Sequence, residues 1–158
     1  MMLSHTHEES RLCRPPGGPA RVAPPGIHRL GRGDVTARIL IVDDNDALRE
    51  NLVECLESEG YLVSEARDGH GALALLAHGP LPEVVLVDMV MPGMSGPELV
   101  ARVRSDARLA GLRLVLCTGM APTRGAVAAD AVLTKPFGMS ELLAKLRPLL
   151  EPRPADPA

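Results

Sequence analysis

Aromatic side chains are nearly missing from this sequence. Tyr61 and Phe137 are the only two in 158 residues, and there is no tryptophan. That scarcity argues against recognition of single-stranded nucleic acid, which relies on aromatic platforms for base stacking. A surplus of positive charge is missing too. Seventeen Lys and Arg face 20 Asp and Glu, a formal charge of −3, so direct nucleic-acid binding through the phosphate backbone is not expected. Cysteines are few: Cys13, Cys55 and Cys117 are odd in number and far apart, with neither zinc-ligand nor disulfide spacing. A reducing, cytoplasmic setting is the expectation. No apolar run approaches the roughly 18 residues that a membrane span needs, and MMLSHTHEES lacks the apolar stretch of a secretory signal.

What is present is a chain that is 46% hydrophobic, whose core must be built from Leu, Val, Ile and Ala. Its length suits one domain. Residues 1–36 stand apart, with five Pro, five Gly and five Arg and no sustained apolar periodicity. A string such as PPGGPARVAPPG buries too little surface to offset its chain entropy, so a disordered leader is expected there. Translation beginning near Val35 is the other reading of that stretch. The last eight residues, EPRPADPA (151–158), carry three Pro and are expected to form a disordered tail. The folded domain is then 37–150, with 11 basic and 15 acidic residues.

Within that window short apolar runs alternate with helical patterns. ARILIVDD (37–44) is an unbroken β-branched run ending in acids, as in a strand buried on both faces. A helix follows, with Leu48, Leu52, Val53 and Leu56 on one side, Asn45 or Asp46 as its cap and Gly60 at its end. YLVSEA (61–66) reads as a second strand, and DGHGALALLAHG as a second helix with Leu73 and Leu76 facing inward. PEVVLVDM (82–89) reads as the third strand. After the loop MPGMSG, Pro97 suits the first position of a third helix. RLVLCTG (113–119) and AVLTK (131–135) complete the strands. MSELLAKLRPLL is the final helix, expected to kink or stop near Arg147 because Pro148 lacks the N–H that a helix interior requires.

Strands separated by helices predict an α/β, doubly wound parallel sheet. Such sheets bind ligands beyond the carboxyl ends of their strands. Here those ends carry Asp43 and Asp44, Asp88, Thr118 and Lys135, so every polar strand end falls on one rim. Converging carboxylates repel and raise one another's pKa. A divalent ion relieves this, and an all-oxygen site suits Mg2+ better than zinc. A cation beside a carboxylate, a hydroxyl and an ammonium can support phosphoryl transfer to an aspartate, with an acyl phosphate as product. Asp46 alone reads as a helix cap. His70 and His78 read as surface residues, Cys117 as a buried and unreactive thiol, and Met89, Met91 and Met94 as packing and loop residues.

ILIVDDN, LVDMVMPGMSG, CTG and LTKPF together resemble the receiver domain of two-component response regulators, of the stand-alone single-domain type, over about 37–150. The resemblance implies a flavodoxin-like five-stranded sheet in the order 2-1-3-4-5. It implies Asp88 as phosphoacceptor, loaded by a sensor histidine kinase or a phosphotransfer protein, with autophosphatase chemistry. Asp44 would be the main acidic Mg2+ ligand, with Asp43 and Asp88 beside it and the backbone carbonyl of Val90 as a further ligand. Thr118 would be the switch hydroxyl, Lys135 would pair with the phosphoryl oxygens, and the Lys135–Pro136 bond would be cis. Two features depart from the family pattern. Val132 stands where the family usually has an aromatic switch residue, and the sixteen residues between Thr118 and Lys135 leave room only for a shortened fourth helix. Signal propagation would then fall to the loop 119–130, and output would be contact with an unknown downstream protein.

Two other readings compete. An interaction module with this fold but no phosphorylation would keep the architecture and lose the chemistry. A haloacid-dehalogenase-type phosphatase would share the acids after the first strand. That class needs a further acidic cluster after the lysine, where this domain offers only Glu141 within a helix.

Overall fold

The structure, a computed structural model, describes residues 37–119 and 128–151. The apolar runs become β1 (Arg38–Val42), β2 (Leu62–Ala66), β3 (Val84–Asp88), β4 (Arg113–Thr118) and β5 (Ala131–Thr134). Between and after them lie α1 (Asp46–Ser58), α2 (Gly69–His78), α3 (Gly96–Arg104), a short 3-10 turn (Ala107–Leu109) and α4 (Met139–Leu150). All the strands pair in parallel, in the order β2-β1-β3-β4-β5. This is the flavodoxin-like arrangement expected from the sequence.

Strand alternation divides the interior into two layers. Leu40 and Val42 of β1 join Val85, Val87, Leu114 and Leu116 beneath α2 and α3. Ile39 and Ile41 join Val84, Leu86, Val115 and Leu133 beneath α1 and α4. Each buried aliphatic side chain contributes roughly 1.5–3 kcal/mol, so number compensates for the missing rings. Tyr61 and Phe137 are only partly buried, packing at the margin of the α1/α4 layer. From β1 the chain turns to β2 on one side, then crosses to β3 on the other. That reversal opens a crevice over the carboxyl ends of β1 and β3.

Three local expectations are corrected. Asp46 does not cap α1: the extended residue there is Asn45, whose side chain accepts from the Leu48 amide, while Asp46 sits in the first turn. Pro97 takes the second helical position rather than the first, behind Gly96, with Ser95 as cap. The final helix does not stop near Arg147 but runs through Pro148 to Leu150. Pro148 and Ala144, whose carbonyl loses its donor, are both exposed, so that carbonyl is accessible to solvent, and Leu149 and Leu150 hold the last turn by packing on the α1/α4 layer. The shortened fourth helix and most of the 119–130 loop would fall on residues 120–127, outside the described residues.

The start of β5 is held from two sides. The Asp130 amide donates to the Leu114 carbonyl, and its carboxylate accepts from the Leu114 amide at 2.7 Å. Arg104 of α3 donates to that carboxylate at 2.6 Å and to the carbonyls of Leu112 and Ala128. These bonds fix where Lys135 leaves the sheet. Among the described residues no helix is long and apolar enough to cross a membrane.

Candidate functional site

The rim forms because β1, β3, β4 and β5 run in parallel and end at one level. β1 stops at Val42, so Asp43 and Asp44 lie just beyond it. Asp88 is the last residue of β3 and lies beside Cys117, and Thr118 lies beside Thr134 on β5. The Lys135 amide donates to the Thr118 carbonyl at 2.7 Å, which anchors the lysine at the strand end.

Lys135 reaches back across the rim. Its Nζ donates to Asp88 Oδ1 at 3.0 Å and to Asp43 Oδ2 at 3.2 Å. The other Asp43 oxygen accepts from the Asn45 amide at 2.9 Å. Asp43 is buried, Asp88 half-buried and Asp44 exposed, and carboxylate oxygens of the three lie within 4.8 Å of one another. Thr118 is buried at the adjacent strand end. Val90 is 78% exposed in the loop beyond Asp88. The Lys135–Pro136 peptide is cis. Val132 faces the other way, half-buried against the α2/α3 layer.

The electrostatics follow from this crowding. Burial pushes the Asp88 carboxyl above the ordinary aspartate range; the Lys135 hydrogen bond opposes it, and the charges of Asp43 and Asp44 add to it. Burial also works against the charge on Lys135, but its bond to Asp88 and the field of Asp43 and Asp88 outweigh that and raise its pKa. The pair is therefore asymmetric: one ammonium faces more than one carboxylate. Cys117 is buried, and burial pushes its thiol up to about 12, as suits an inert thiol. His70 and His78 are exposed, and Met91 and Met94 belong to the core.

A raised carboxyl pKa has a direct consequence for stability. Asp88 favours the fold when protonated, and that contribution is lost as pH rises through its folded-state pKa. Without metal, Asp88→Asn should unfold at a higher temperature than the unaltered chain at neutral pH. The difference should shrink as pH falls into the carboxylate range. Thermal melts in chelator across that range would check it, and a gap that widens toward acid would contradict it.

Two residues that support the backbone of the rim were given no role by the motif reading. Gly96 packs so tightly that a Cβ there would meet the Asp88 carbonyl oxygen at 2.4 Å and Met89 Cα at 2.8 Å. Arg49 is buried and donates to the Asp43 carbonyl at 2.8 Å. Its signal was available: an arginine in register with Leu52, Val53 and Leu56 on an apolar stripe must have partners.

Residues 39–147 match the response regulator receiver domain family. The sequence is 40% identical over 118 residues to the response regulator MprA of Mycolicibacterium vanbaalenii, covering 72% of this chain and 50% of that protein. The chain thus spans about half the length of the curated relatives it matches. Among solved structures it is similar to the chemotaxis protein CheY4 of Vibrio cholerae, with TM-score 0.69 and 31% identity, over 73% of this chain and 100% of that one. It is also similar to the response regulator protein TrrA of Thermotoga maritima in complex with Mg2+-BeF, with TM-score 0.66 and 35% identity, over 73% of this chain and 100% of that one. With the parallel sheet in this order and the acids and lysine on its rim, the chain belongs to the response regulator receiver domain family.

Proposed function

We propose that this chain is a phosphoacceptor in a two-component phosphorelay, taking a phosphoryl group on Asp88 from a sensor histidine kinase or a phosphotransfer protein. The observation that carries the reading is the double contact of Lys135 Nζ with Asp43 and Asp88 inside a cluster of three carboxylates. Three carboxylates against one ammonium leave two negative charges uncompensated, which a divalent cation would balance. The donor set is all oxygen, as Mg2+ prefers. Asp43, Asp44 and Asp88 would hold the ion, with the Val90 carbonyl as a further ligand. When bound, Mg2+ supplies positive charge against the phosphoryl oxygens.

The protein's own residues do the rest. A carboxylate oxygen of Asp88 attacks phosphorus as the phosphohistidine N–P bond breaks, and the departing imidazole keeps the electron pair. Lys135 holds Asp88 from one side and then pairs with the phosphoryl group, while the Thr118 hydroxyl at the neighbouring strand end donates to it. Hydrolysis of the acyl phosphate by water returns Asp88, which is the autophosphatase step. Output is contact with a downstream protein. The aromatic switch position holds Val132, whose aliphatic side chain cannot make the inward swing of a ring, so the phosphorylated state is read elsewhere.

The test is incubation of the full chain with acetyl phosphate, followed by intact mass. One phosphoryl group should be gained with Mg2+ and none with chelator. Asp44→Ala should lose both Mg2+ binding and labelling. Labelling that ignores Mg2+, or an Asp44→Ala variant that binds it normally, would overturn the assignment. No labelling with any donor would favour the interaction-module reading.

A further inference from the structure

We propose that Arg49 is a positioning residue for the cation site, orienting Asp44 through the peptide bond that joins it to Asp43. This rests on the reading of the acidic cluster as a divalent-cation site. Arg49 comes from the buried side of α1, where a leucine would satisfy the packing at lower desolvation cost. All three of its functional nitrogens are used. Nη1 donates to the Asp43 carbonyl at 2.8 Å, Nη2 to Asp46 Oδ1 at 2.6 Å and Nε to Glu65 Oε1 at 3.2 Å. Asp46 and Glu65 thus aim the guanidinium from two sides, and its remaining arm lands on the main chain of the acidic pair.

The carbonyl it grips belongs to the peptide between Asp43 and Asp44. Fixing that peptide plane fixes the direction in which Asp44 leaves the chain. Asp43 has its own restraints: its carboxylate takes the Asn45 amide and Lys135, and its amide donates to Ala66. Asp44 is different. Its side chain is exposed and makes no hydrogen bond among the described residues, so its aim is set by the backbone alone. The main chain is held before it by the Asp43 amide and after it by the Asn45 carbonyl, which accepts from the Arg49 amide. Arg49 therefore contacts both flanks of Asp44, one with its side chain and one with its backbone.

Charge and geometry make opposite predictions, which separates this role from a general field effect. Removing a positive charge near an acidic cluster should tighten cation binding by Coulomb attraction. Removing a positioning bond should weaken it, typically by tenfold or more when a metal ligand loses its orienting partner. Arg49→Met keeps an apolar side chain on the stripe. It also strands Glu65, whose Oε2 is already buried without a partner among the described residues. The double variant Arg49→Met with Glu65→Leu removes the pair together, with no net change in charge.

The experiment is calorimetric titration of the full chain with Mg2+ for the unaltered protein and both variants, each first shown to unfold cooperatively well above the titration temperature. The expected result is a Kd about tenfold weaker in the double variant, and in the single variant if it folds, with one site retained. Equal or tighter binding in a folded variant would overturn the positioning role while leaving the cation site intact. An unaltered chain that binds no Mg2+ would overturn the cation site, and the role of Arg49 with it.

Discussion

Asp88→Asn is expected to show no phosphoryl adduct after incubation with a small phosphodonor and Mg2+, under conditions in which the unaltered chain gains one. An amide of the same shape still accepts from Lys135 but is no nucleophile toward phosphorus. The fall should be at least about a hundredfold, the scale on which losing a nucleophile acts. Geometry makes the result discriminating. Asp43 is buried with both oxygens engaged, by the Asn45 amide and by Lys135, so it is poorly placed to substitute. Asp44 is exposed within the same cluster. An adduct that persists at the original level in Asp88→Asn and maps to Asp44 would move the phosphosite by one strand and refute the assignment.

Gly96→Ala should be the most damaging single-methyl change near the rim. The added Cβ would fall 2.4 Å from the Asp88 carbonyl oxygen and 2.8 Å from Met89 Cα. Both obstacles are main chain, so no side chain can swing aside. Overpacking of this kind costs about 1–3 kcal/mol, here toward the upper end, and a domain of this size would melt lower by roughly 10 °C. One of the displaced atoms belongs to Asp88, the proposed phosphoacceptor, and the other to its chain neighbour, so labelling should slow as well. Gly111→Ala is the control, since a Cβ there meets nothing within 4 Å, and it should leave both properties nearly unchanged. Equal melting temperatures for the two variants would show that α3 is free to move away from β3.

Much of this was legible in the sequence for a physical reason. A strand buried on both faces has no room for polar residues until it ends, so ILIV, VVLV and RLVLC marked strands and their first polar neighbours marked the rim. Parallel topology then put Asp43, Asp44, Asp88, Thr118 and Lys135 at one level without any measured distance. What escaped notice depended on contacts between distant segments. Nothing local in VSEA tells that Glu65 meets an arginine sixteen residues earlier in the chain. Nothing in MSGPE tells that Gly96 presses on the strand it has just left. The capping of α1 was undecided between Asn45 and Asp46 because either side chain can accept the amide. Asp46 is drawn to Arg49 instead, and that ion pair holds its carboxyl below the usual range.

Lys135 reaches Asp43 across 92 positions of sequence and Asp88 across 47. No local fragment of the chain contains the chemistry, and neither does the unfolded state. The lysine and the acids meet only when the sheet has closed from β1 through β3 and β4 to the edge strand β5. On the proposed function, a misfolded or partly translated molecule would be silent to a phosphodonor rather than wrongly active. On the same proposal, a phosphoryl group on Asp88 would mark a molecule whose sheet has closed, because only that molecule holds the lysine and the acids together.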